Sequence, residues 1–154
     1  MKIRVYCISK PEKDAYAELG EHFKKLARSF NVELEILDIF NKQIAQAQKA
    51  ANEAESSLAY KEALQRYLSG AHNIALTPEG KLYDSHAFSQ IFHHKQEVNF
   101  FVGGAYGFEP GFLKSCHQSL SLSPLTLGHK VAKVVLCEQI YRGLTIMHNH
   151  PYHK

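Results

Sequence analysis

The chain has 154 residues, of which 45% are hydrophobic and 21% charged, the size and balance of one folded domain and not of a disordered chain. No apolar run approaches the roughly 20 residues that span a bilayer, so a membrane partner is excluded. Three widely spaced cysteines (Cys7, Cys116, Cys137) lie among apolar neighbours; they exclude a disulfide framework or a zinc knuckle and read as reduced thiols of a cytoplasmic protein.

The opening residues Met1-Lys2-Ile3-Arg4 lack a signal-peptide core and run straight into a first strand, residues 2–8, bounded by Ser9-Lys10-Pro11. Residues 11–30 carry Ala15, Leu19, Phe23, Leu26, Ala27 and Phe30 at helical spacing. Val32, Leu34, Ile36 and Ile39 mark a second strand. Residues 42–68, rich in Ala, Gln, Glu and Lys, predict one long helix with a thin stripe of Ile44, Ala47, Ala51, Ala54, Leu58 and Leu64, and hence loose packing. A third strand over 72–77 closes in the turn Thr77-Pro78-Glu79-Gly80. Ser85 is placed to cap a short helix to about residue 94, and 98–102 is a continuous apolar strand. Then follow Gly103-Gly104-Ala105-Tyr106-Gly107, a short helix over about 110–118, a short strand at 119–122, and a last helix, 130–147, apolar on more than one face. Strands alternating with helices predict an α/β layered fold with a mainly parallel sheet. With no repeat, low-complexity tract or linker, residues 1–154 read as a single domain.

Net charge is only +3, yet it is skewed: residues 1–60 hold nine basic and nine acidic side chains, whereas from Pro110 onward Lys114, Lys130, Lys133, Arg142 and Lys154 face the single acid Glu138. The skew is compatible with a polyanionic partner and equally with ordinary solvated surface.

Four segments could carry chemistry. The glycines after the 98–102 strand let backbone amides approach a ligand, or simply make a tight turn. Their G-G-x-x-G spacing and the absence of an acid about 20 residues downstream argue against a dinucleotide-binding turn. The uncharged segment 121–128 offers backbone and hydroxyl hydrogen bonds suited to an adenine, or is a plain loop. The tail His148-Asn149-His150-Pro151-Tyr152-His153-Lys154 lacks a nearby Cys or carboxylate to complete a metal site, so no metal is expected; its rings suit stacking on RNA, unless it is frayed. In Glu138-Gln139-Ile140-Tyr141-Arg142, the acid and the arginine, four residues apart, are placed to pair, and the guanidinium could instead grip a phosphate.

Taken together, Phe101-Val102-Gly103-Gly104-Ala105-Tyr106-Gly107, Leu120-Ser121-Leu122-Ser123 with Thr126-Leu127-Gly128-His129, Glu138-Gln139-Ile140-Tyr141-Arg142 and the ending Asn149-His150-Pro151-Tyr152-His153-Lys154 resemble the bacterial ribosomal RNA large-subunit methyltransferase H family over essentially the whole chain. That resemblance implies a SPOUT-type α/β fold with a C-terminal trefoil knot, a homodimer, and S-adenosylmethionine as cofactor. It implies methylation of N3 of a pseudouridine in 23S rRNA of the assembled ribosome. It assigns cofactor binding to Leu76, Gly103, Gly104, Leu122, Ser123, Pro124, Leu125, Thr126, Leu127 and Gly128. RNA contacts are expected at His129, Lys133, Arg142, His150 and Lys154, and catalytic roles at Arg142, Tyr152 and His153, with His153 a candidate general base. The sequence departs from the family at Thr77, Gly128 and Lys133, where aspartate, proline and arginine are usual. A non-catalytic RNA-binding module and a nucleotide-dependent oxidoreductase are the alternatives; the missing ribose acid disfavours the second.

Overall fold

The computed structural model describes residues 1–68 and 70–154. Five strands, β1 (Lys2–Ile8), β2 (Glu33–Ile39), β3 (His72–Leu82), β4 (Glu97–Val102) and β5 (Gln118–Ser121), form one sheet of order β2-β1-β4-β3-β5. Every neighbouring pair is parallel. Among the described residues there are six α-helices, α1 (Ala15–Arg28), α2 (Lys42–Lys49), α3 (Glu53–Leu64), α4 (Ser85–Ser89), α5 (Pro110–Ser115) and α6 (His129–Met147), with short 3-10 turns at Gln65–Tyr67 and Gln90–Phe92.

Both faces of the sheet are covered, as a parallel sheet requires. On one face Ile3, Val5, Val98 and Phe100 pack with Phe23 of α1, Phe88 of α4 and Leu136, Ile140 and Leu144 of α6. On the other, Tyr6, Ile8, Ala75 and Phe101 pack with Ile44 of α2, Tyr60 and Leu64 of α3 and Phe112 of α5. Arg4 stitches the three strands near their N-terminal ends, its Nε 3.2 Å from Glu35 and its Nη1 2.6 Å from Glu97.

Local chemistry moves several boundaries from their predicted places. The first helix starts at Ala15, not Pro11, because the Asp14 carboxylate accepts the Ala17 amide at 2.9 Å and caps it. The single helix expected over 42–68 is two: Ala51 takes φ 52°, and Asn52 restarts the chain by accepting the Glu55 amide at 2.9 Å. Nor is this pair loosely packed. The break turns Ser56, Ala59, Tyr60, Ala63 and Leu64 inward, leaves Leu58 46% exposed, and lets Gln48 Nε2 donate to the Tyr60 hydroxyl at 2.7 Å, which ties α2 to α3. Asp84, not Ser85, caps α4, accepting from the Ala87 amide. The short helix expected to reach 118 stops at Ser115. β3 does not close at Thr77 but runs on to Leu82, with a register shift against β5 between Leu76 and Lys81. That shift makes one wall of the site.

Candidate active site

Three segments converge at the C-terminal edge of the sheet, where open parallel sheets carry ligands. They are the bowed stretch 76–79 of β3, the loop 102–108 leaving β4, and the loop 122–129 between β5 and α6, and they enclose a cleft of about 530 Å³. The volume lies in the range of small-molecule sites.

The glycine loop is held flush against the core. A Cβ on Gly104 would lie 2.5 Å from the Tyr60 hydroxyl oxygen, closer than any side chain allows, and one on Gly103 would press on the Phe108 ring at 3.3 Å. Main chain is therefore what this loop presents to the cleft. Across from it, Ser121 Oγ donates to the Ser123 carbonyl at 2.9 Å, and Ser123 Oγ accepts the Leu125 amide at 3.0 Å. These bonds fix the loop and carry Leu125, 73% exposed, to the rim. Gly128 then starts α6 with no side-chain cap.

Leu76, Gly103, Gly104, Leu122, Ser123, Leu125, Thr126, Leu127 and Gly128 line the cleft; Pro124 does not. His129, expected among RNA contacts, also lines it. Burial, with Lys130 and Lys133 nearby, lowers the His129 pKa below its ordinary value, so the imidazole is neutral at pH 7. Among the described lining residues Glu79 supplies the one carboxylate, and Thr77 Oγ1 donates to it at 2.5 Å.

The tail is docked, not frayed. Glu138 Oε1 accepts from Arg142 Nε at 3.0 Å, from Arg142 Nη2 at 2.6 Å and from the Tyr152 hydroxyl at 3.0 Å. The guanidinium lies over the Tyr152 ring, 4.8 Å from its centroid, and Tyr152 meets Tyr141 edge-on. Arg142 Nη1 lies 3.3 Å from His153 Nδ1. A guanidinium only donates, so Nδ1 must accept, and neutral His153 keeps its proton on Nε2. In this arrangement Nε2 of His153 offers a donor. His148 and His150 pack against Phe30.

One sequence expectation ends elsewhere than foreseen. Lys133 is not on a basic surface: its side chain is 8% exposed and its Nζ lies 2.8 Å from Asp38, beside buried Cys7 and Cys137. Burial raises both thiols to about 12, which leaves them unreactive. Tail and cleft lie apart within one chain. His129 begins α6 and Arg142 lies near its far end, about 20 Å away at 1.5 Å per residue.

Sequence reasoning missed Glu79, which it treated as turn punctuation, and Tyr60 and Phe108, which back the glycines. Phe108 directly follows the glycine cluster, so its aromatic character was the available signal. Nothing in the sequence linked Tyr60 to Gly104. Among the described residues no group of three or more His, Cys, Asp or Glu is placed to hold a metal, and no helix is long and apolar enough to cross a membrane.

A strand-end cleft walled by main chain, on a fully parallel sheet, is the setting in which the comparisons with known proteins fall. A family model described as "Predicted SPOUT methyltransferase" matches residues 1–153, and the chain belongs to that family. Within it the chain is 99% identical, over all of both sequences, to the ribosomal RNA large subunit methyltransferase H of Wolinella succinogenes. It is 49% identical to the protein of that name from Sulfurovum sp. and 48% identical to one from Helicobacter pylori, each over the full length of both chains. Its place in the family is with these large-subunit enzymes.

Proposed function

We propose that this protein, as a cytoplasmic homodimer of single-domain subunits spanning 1–154, transfers the methyl group of S-adenosylmethionine to N3 of a pseudouridine in 23S rRNA of the assembled ribosome. The observation that carries this reading is the cleft itself: amides and apolar side chains from three segments, with no lysine or arginine among its described lining residues. Such a wall suits an adenosine and suits a cationic donor, which a basic residue would repel. The missing Cβ of Gly104, whose place is taken by Tyr60 and Ile8 of the core, lets the loop lie flat and leaves its main chain at the cleft.

Gly103, Gly104 and residues 122–128 would hold the adenosyl part, with Leu76 and Val102 excluding water beside it. Bound there, S-adenosylmethionine supplies a methyl group on a positively charged sulfur. The target nitrogen must lose its proton before or during attack, so an anion meets a cation and both charges vanish; a dry site favours that transition state over the separated charges. The chain's further task is positioning. Arg142, braced by Glu138, is suited to a phosphate, Tyr152 to stacking, and the Nε2 proton of His153 to a carbonyl of the target base. His150 and Lys154 extend the RNA-facing surface.

Because cleft and tail are separated along α6, the dimer supplies the missing proximity: the tail of one subunit covers the cofactor of the other. Tyr16, Leu19 and Val131, all exposed, offer an apolar patch where α1 meets the start of α6; Lys130 reaches over Tyr16, its Nζ 5.8 Å from the ring centroid. The return of α6 from edge strand β5 to pack against α1 and α4 is in keeping with the trefoil knot. A net charge of +3 binds naked RNA weakly, so whole ribosomes are the better substrate.

Calorimetry with S-adenosylhomocysteine, followed by mass mapping of nucleosides in ribosomes from cells lacking the protein, tests the reading. Saturable binding and loss of one methylated pseudouridine are expected. RNA binding without a saturable adenosyl site would favour the non-catalytic RNA-binding module instead.

A further inference from the structure

The cleft is almost wholly main chain and apolar surface, and Glu79 interrupts it. β3 and β5 pair up to Leu76 and again from Lys81, and the register shift between those points bows residues 77–80 outward at the cleft. The bow is pinned at Gly80, where an added Cβ would lie 2.6 Å from the Leu120 carbonyl carbon and 2.7 Å from its nitrogen. From this fixed backbone the Glu79 side chain is aimed by the hydrogen bond from Thr77, which also holds its carboxyl below the usual carboxylate range. The group is anionic at neutral pH. Nearby Lys81 does not neutralise it, since its Nζ sits over the Tyr83 ring, 5.0 Å from the centroid. Among the described residues no ion pair engages Glu79. An exposed carboxylate with no ion-pair partner at the rim of a ligand cleft is free to take a cation from the ligand.

Two cationic groups exist on the methyl donor, and the reaction distinguishes them. The sulfonium loses its charge in the transition state, so a carboxylate beside it would stabilise the ground state more and slow transfer. The α-ammonium keeps its charge throughout, and a carboxylate there binds substrate and transition state alike. We propose that Glu79, held by Thr77, receives the α-ammonium of the methionine part of the cofactor and so makes the cleft prefer ligands with an intact amino-acid arm. This rests on the reading of the cleft as the S-adenosylmethionine site.

The test is calorimetry on the full-length protein and on Glu79→Gln, with three ligands. S-adenosylmethionine has both cations, S-adenosylhomocysteine only the ammonium, and 5′-methylthioadenosine neither. Glu79→Gln keeps an acceptor for Thr77 and changes an exposed side chain, so folding is retained. The expected result is a loss of about three- to fivefold for the first two ligands, the scale of one solvent-exposed charged contact, with 5′-methylthioadenosine unchanged. An equal loss for 5′-methylthioadenosine, a loss for S-adenosylmethionine alone, or no loss at all would each overturn the assignment while leaving the cofactor site standing. If the unaltered protein bound none of the three, the functional reading itself would fall, and the assignment with it.

Discussion

The two ends of α6 are built from opposite materials. At its start, the cleft is main chain, leucine, glycine and hydroxyl, with a neutral His129 and one carboxylate at the edge. At its finish, a charged and aromatic cluster of Glu138, Arg142, Tyr141, Tyr152 and His153 braces the tail. The first environment suits a cationic nucleoside, the second a polyanion. Their separation along α6 keeps Arg142 from repelling a cationic ligand in the cleft. The contrast teaches that charge is what divides the two ends: a cation is tolerated at the first and an anion at the second.

The sharpest way to break that comparison is complementation. A subunit carrying Gly104→Val in the cleft and a subunit carrying Arg142→Ala in the tail should each be inactive as homodimers. Mixed after co-expression, half the dimers are hybrids, and each hybrid holds one intact cleft facing one intact tail. Roughly a quarter of normal ribosome methylation is then expected from the symmetry of a two-fold dimer. A mixture as dead as its parents would mean that cleft and tail act within one chain.

Gly104→Val also tests the cleft alone. The new side chain collides with Tyr60, so either the glycine loop or α3 must move. Overpacking of this kind costs about 1–3 kcal/mol. Thermal melting should fall accordingly, and S-adenosylhomocysteine binding should drop below detection in calorimetry, while ribosome association measured by sedimentation persists.

Glu138→Gln is a milder change at the other end. It weakens the acceptor shared by Arg142 and Tyr152 without removing either group. Methylation of ribosomes should fall about tenfold, the scale of losing one charge-assisted bond, with cofactor affinity unchanged. A matching loss of cofactor affinity would erase the distinction between the two ends.

How much of this was legible beforehand follows from which forces are local. Strand and helix identity came from periodicity, and β1 was delimited correctly because its residues are apolar and Pro11 ends the run. The split between α2 and α3 was hidden because an Asn in an Ala-rich stretch looks like a tolerated helix residue until its side chain turns back as a cap. Lys133 looked like a surface cation because nothing local signals that Asp38, on β2, waits for it across the core. Glu79 was masked by a turn pattern that, in the folded chain, lies within a strand. The cleft residues were found through resemblance, since glycines and a polar loop permit a structural reading equally well. Which strands neighbour which, and the path of α6 back across the sheet, are long-range facts that no local pattern encodes.

The smallest effect concerns His129, which stands where the cleft meets α6. Its pKa is lowered by burial first, then by Lys130 and Lys133, with Asp38 and Glu12 partly opposing. It is therefore neutral above its ordinary value of 6.5 and takes up a proton only at lower pH. A bound cation would depress it further, so binding S-adenosylmethionine must expel that proton wherever the free protein carries it. Affinity should be flat from pH 8 to 7 and decline as pH falls below about 6.5, by two- to threefold at the estimated strength of two partly solvated like charges. Glu79, with its carboxyl held below the usual range, does not titrate in that window and leaves the assignment unambiguous. His129→Gln should abolish the decline while leaving affinity at pH 8 nearly unchanged, and S-adenosylhomocysteine, which lacks the sulfonium, should show a shallower one. Calorimetry at pH 8, 7 and 5.5 on both proteins measures this directly. An acid limb that survives the substitution would mean that the cationic end of the donor lies away from the start of α6.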